Sequence, residues 1–131
     1  MTQEQKDKEL LLQDLCGRLP YGVKMNHIAD TENNPITLVG VAKTMITLES
    51  SAGYGTSDIE DYIPYLFPLS SMTEEQDREF SLLQVNTHKD GFLYVCDCTN
   101  MITWLNKNHF DYRGLIPKGL AIDCTGLNIY V

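Results

Sequence analysis

The sequence predicts an α+β fold: a small, twisted, mainly antiparallel sheet, in one variant partly rolled into a barrel, packed with two or three helices. Three observations point there. The opening residues repeat apolar side chains at helical spacing behind a capping sequence. From Gly22 the apolar period changes to two, the period of a half-buried strand. A second capping sequence at Thr73 starts another helix after the strands. With 131 residues and 14.9 kDa, the chain fits a single domain, 1–131, with a modest core.

The first element is a helix. Thr2 and Gln5 form a capping box, and Leu12, Leu15, Cys16 and Leu19 recur at the spacing of one face. Gly17 is a natural stop, and Pro20 prevents continuation. Then "GVKMNHI" alternates Val23, Met25 and His27 against Lys24, Asn26 and Ile28. "DTENNP" is turn chemistry, and "ITLVGV" and "KTMITL" are β-branched strands joined by a short link. The three strands read as an antiparallel meander. "ESSAGYGTSD", with small residues and two glycines, reads as a loop and candidate lid, with a plain solvated connection as the alternative. It lacks the lysine and following helix that a phosphate cradle needs.

In "DIEDYIPYLFPLSSM", Pro64 and Pro68 argue against a regular central strand or a long helix. Thr73 and Gln76 cap a second helix, about 74–84, with Phe80 and Leu83 on one face. "HKDG" reads as a turn and "FLYVC" as a short apolar strand. Asp97 or Thr99 caps a third helix with Met101, Ile102 and Leu105 inward and Trp104 at the boundary. Asn108 is suited to a left-handed helix end, and "LAIDC" closes the sheet, with "IYV" as an edge strand.

A formal charge of -8 and a pI near 4.7 exclude general nucleic-acid binding, because ten scattered lysines and arginines cannot cover a phosphate backbone. The charge permits a basic protein partner. "MTQEQKDKELLLQDLC" reads as neither signal peptide nor anchor, and no segment approaches the roughly 18 consecutive apolar residues of a membrane span. The expected setting is the cytoplasm, where Cys16, Cys96, Cys98 and Cys124 stay reduced. "CDC" at 96–98 is a possible metal handle, yet structural zinc takes two pairs of wider spacing, and two small core side chains on one strand face explain it equally well. No metal and no cofactor is expected.

"WLNKNHFDYRGLIPKGLAID" holds the candidate site: Trp104, His109, Asp111, Tyr112, Arg113 and Lys118. A His–Asp pair can act as an oriented base, and an arginine can clamp a carboxylate or phosphate. Residues two apart do not face each other in a strand or a helix, however, so only a turn unites His109 with Asp111. The same residues also serve a structural reading, in which Phe110 and Tyr112 fasten a turn while Asp111 and Arg113 satisfy backbone or pair together. No nucleophile elbow, metalloprotease motif or Walker loop is present.

"LCGRLPYGVK", "YLFPLSSMTEEQ" and "WLNKNHFDYRGLIPKGLAI" resemble segments of an uncharacterised family of small proteins from gut Bacteroidetes, their phages and mobile elements. The resemblance implies a bacterial or phage cytoplasmic setting and supplies no catalytic residues. The leading functional expectation is a non-enzymatic module that binds a protein partner through 104–118 and 50–57. Two alternatives are a small-molecule binder or sponge, with Trp104, Tyr112 and Arg113 in a pocket, and an enzyme using His109 or His27 as base.

Overall fold

The computed structural model describes the backbone of residues 2–86 and 94–130, and the side chains of that set outside 84–98. Among the described residues three helices, α1 (Gln3–Arg18), α2 (Glu74–Asn86) and α3 (Tyr94–Lys107), accompany seven strands. The strands are β1 (Lys24–His27), β2 (Ile36–Val41), β3 (Met45–Ser50), β4 (Gly53–Asp58), β5 (Tyr62–Pro68), β6 (Phe110–Asp111) and β7 (Ile122–Asp123). The fold is α+β. The strand order is β4-β3-β2-β1-β5-β6, with β7 also on β5. Strands β1 to β4 and the β1–β5 pair are antiparallel, while β6 and β7 run parallel to β5. The sheet does not close into a barrel.

Both capping boxes form. Thr2 Oγ1 accepts from Gln5 N–H at 3.2 Å while Gln5 Oε1 accepts from Thr2 N–H at 2.9 Å. Thr73 and Gln76 do the same for α2, at 3.1 and 3.0 Å. Each pair satisfies two amides that have no partner inside the helix. The buried face of α1 is Leu11, Asp14, Leu15 and Arg18, rotated from the expected stripe; Cys16 is exposed. Leu11 and Leu15 join Val23, Met25, Leu38 and Ile46 in one core, extended by Leu48, Ile59, Leu66 and Leu115.

Gly17 does not end the helix. It lies one residue inside α1, where the absence of a side chain lets Asn106 approach to 3.1 Å of its Cβ position. The turn out of the helix comes after a single 3-10 turn, Leu19–Tyr21, at Gly22 with φ 67°. "GYGTSD" is strand β4 rather than a loop, because the link Ser51–Ala52 folds it straight back on β3. The segment "YLF" likewise belongs to a regular inner strand despite its prolines. Ile28 N–H donates to the Asp61 carbonyl and Phe67 N–H to that of His109, whereas Cys124 N–H donates to Leu66. Odd positions of β5 therefore face β1 and β6, and even ones face β7. Pro64 and Pro68 are both even, and β7 pairs only with Tyr65 and Leu66, so their missing amides fall beyond its ends.

Helix α3 begins at Tyr94, so Tyr94–Cys96 is helical and not strand, and neither Asp97 nor Thr99 opens the helix. Phe92, Leu93 and the "HKDG" segment lie outside the described residues. At the far end His109, not Asn108, takes the left-handed conformation, with φ 63°. Ile129 and Tyr130 form a turn and no edge strand. Among the described residues no helix is long and apolar enough to cross a membrane.

Candidate functional site

The turn after α3 meets the last turn of α1 in a buried polar joint. Arg18 and Asp14 lie one helical turn apart, both fully buried, with Nε–H donating to Oδ2 at 2.7 Å. Arg18 Nη2 donates to the Phe110 carbonyl at 2.6 Å. Asp14 Oδ1 approaches Arg113 Nε at 3.2 Å, an ion pair whose angle falls short of a hydrogen bond. Both guanidiniums sit over the Tyr112 ring, at 5.3 Å for Arg18 and 5.1 Å for Arg113. The Tyr112 hydroxyl donates to Asn106 Oδ1 at 2.8 Å. Of the expected site residues, Tyr112 and Arg113 thus meet in this joint.

Asp111 is buried and serves the backbone. Its carboxylate accepts from Leu115 N–H and Ile116 N–H, both at 2.9 Å, and from Arg113 N–H at 3.3 Å. It makes no contact with His109 as an acid–base pair would. His109 instead stacks on Tyr130 with ring centroids 3.6 Å apart. Burial, reinforced by the charges of Arg18 and Lys24, lowers its pKa from 6.5 to about 4, so the ring is neutral at pH 7. The Tyr130 hydroxyl accepts from Lys24 N–H and donates to the Tyr65 carbonyl, each at 2.8 Å. Burial raises its pKa above the ordinary tyrosine range.

Trp104 is half-buried between Phe80, at 5.5 Å, and Phe110, stacked at 5.6 Å, and its Nε1–H donates to Glu79 Oε2. Lys118 is exposed and stands apart from the joint. His27 is exposed, packs edge-on against Tyr62 at 5.1 Å, and accepts from Ala29 N–H through Nδ1. Among the described residues no three His, Cys, Asp or Glu groups are placed to hold a metal ion; the side chains of Cys96 and Cys98 lie outside those residues.

A different region carries an open groove. It has a volume of about 520 Å³ and runs between α1 and the 3-10 turn Ile59–Asp61. Ile28, Ile63 and Leu120 give it apolar surface over the buried Leu11 and Ile59, and Glu4, Asp7, Glu60 and Asp61 supply carboxylates. Lys8 is the basic residue in the lining, and it is paired with Glu60. Ile28 is 57% exposed there. Sequence reading missed Asp14, Arg18, Asn106 and Tyr130. The first two had a signal: charged residues at i, i+4 on the same stripe as Leu11 and Leu15 can only be buried as a pair.

Comparison with protein families finds no match, and no curated protein or solved structure matches the chain either.

Proposed function

We propose that the protein is a small, non-enzymatic interaction module of a bacterium, phage or mobile element, binding a basic protein partner in the α1 groove. The observation that supports this reading most is the pairing of an apolar lining with the carboxylates of Glu4, Asp7 and Asp61, beside the Lys8–Glu60 pair. Apolar surface gives a docked side chain somewhere to bury, and the carboxylates attract lysine or arginine around it. The overall charge of -8 adds long-range attraction that salt weakens. The engagement of Asp111, Tyr112 and Arg113 with neighbouring groups favours a protein partner at the groove over a ligand pocket at 104–118.

A zero-length carbodiimide cross-linker joins carboxylates to amines that touch them, so it reads the proposed contact directly. In a host lysate the partner's lysines should couple to Glu4, Asp7 or Asp61, and Ile28→Asp or high salt should remove the product. Cross-links confined to other carboxylates, or unchanged in Ile28→Asp, would overturn the proposal.

A further inference from the structure

We infer that the outer edge of β4 is a second binding surface, built to accept an extended, lysine- or arginine-bearing peptide as an added strand. This surface is separate from the groove and stands or falls independently of it.

The backbone defines the surface. Ile59 N–H donates to the Thr44 carbonyl, which fixes the phase of the β3–β4 ladder. Gly53, Gly55 and Ser57 therefore spend their amides and carbonyls on β3, and Tyr54, Thr56 and Asp58 turn theirs outward. Among the described residues no backbone group outside the helices pairs with the outward groups of Tyr54 and Thr56, whereas the Asp58 carbonyl opens the 3-10 turn Ile59–Asp61 and leaves only its amide free to an added strand. Exposed edges are ordinarily blunted with lysine, proline, a bulge or a covering element, because an open row of donors and acceptors recruits another strand. The β4 edge has none of these devices: its register with β3 is unbroken and its sequence is Gly-Tyr-Gly-Thr-Ser-Asp.

The side chains suit a strand of particular chemistry. On the face shared with Leu48, β4 presents Gly53, Gly55 and Ser57, which leaves a trough of about 350 Å³ bordered by Ile36, His27 and Tyr62. Side chains of an added strand can lean over these small residues towards Leu48. On the opposite face Tyr54 is 74% exposed and awaits a neighbour. Charge selects the occupant. Glu49 and Asp58 carry the charge of this edge, and Lys8, which interacts with Asp58, is paired with Glu60. A basic strand gains from that field, whereas a second copy of this acidic chain is repelled by it. Main-chain bonds would supply affinity and alternate side chains the selectivity.

The test uses the full chain with a short acetylated peptide alternating lysine and valine, and a glutamate–valine peptide as comparison. The lysine peptide should bind and slow amide hydrogen exchange at Tyr54, Thr56 and Asp58, and the glutamate peptide should not. Thr56→Pro removes one outward amide and no ladder bond to β3, so it should weaken binding by up to about tenfold, the worth of one hydrogen bond. Exchange protection in the wild-type chain keeps the test decisive if that variant folds poorly. Protection elsewhere, or none, overturns the inference. Protection of the same amides without peptide, growing with protein concentration, assigns the edge to self-association and also overturns it. Ile28→Asp should leave peptide binding intact; if it abolishes binding, the peptide sits in the groove, and the edge proposal fails while the groove proposal stands.

Discussion

Arg18 Nη2 reaches the carbonyl of Phe110 at 2.6 Å, tying the end of α1 to β6 across 92 residues of sequence. The bond belongs to a buried charge pair with Asp14, and removing one member of such a pair leaves the other without compensation. Arg18→Ala should therefore cost about 3–5 kcal/mol in urea unfolding. Replacing both, as Asp14→Leu with Arg18→Met, should cost clearly less than the sum of the single changes. Additive losses would show that the pair is not coupled. Arg113→Ala removes a partly exposed ion pair with Asp14 and the contact with the Tyr112 ring, and should cost about 2 kcal/mol or less.

Asp111 supplies the acceptors for Leu115 and Ile116 at the start of the turn that leads to β7. Asp111→Ala takes the acceptor from three amides, those of Arg113, Leu115 and Ile116, and should lower stability by about 2–4 kcal/mol. Asp111→Asn keeps one acceptor and should lose roughly half as much. Equal losses for the two variants would mean that charge, and not hydrogen-bond acceptance, is what the turn requires.

The elements that were legible in the sequence were those with a local cause. Thr2–Gln5 and Thr73–Gln76 announce their helices because the capping bonds span three residues. The meander was legible through alternation in "GVKMNHI" and the β-branched side chains of "ITLVGV" and "KTMITL". What escaped depends on distant partners. "GYGTSD" has a loop's composition, and only β3 makes it a strand. Tyr94–Cys96 has strand propensity overridden by its helical context. Arg113 was readable as a cation near aromatics, but its counter-charge, Asp14, lies on α1. The groove joins α1 to residues near 60 and 120, which no spacing rule connects.

His109 links stability to pH. It takes up a proton near 6.5 when unfolded and only near 4 when folded, so between these values the unfolded chain binds more protons. Its contribution is complete above pH 6.5 and declines as pH falls towards 4, by roughly 2–3 kcal/mol in all. His109→Asn tolerates the left-handed backbone and has no titrating ring. Stability of that variant should vary less over the same interval, as read by thermal melts across pH; an unchanged slope would exonerate His109.

The described thiols should differ in reactivity. Cys16 is exposed, whereas Cys124 is buried, with burial pushing its pKa up to about 12. An aromatic disulfide reagent at pH 8 should label Cys16 in the native protein and Cys124 only on unfolding. Peptide mapping distinguishes them, and early labelling of Cys124 would refute its enclosure.

The two prolines of β5 do more than tolerate their places. A slip of one residue would turn the amide-less Pro64 towards β1 and Pro68 towards β6, cutting ladder bonds and turning Leu66 away from the core. Misaligned pairings are thus penalised twice, once in hydrogen bonds and once in burial. What the strand lacks at Pro64 and Pro68 works as a proofreading device during assembly, admitting one alignment of β5 between its neighbours.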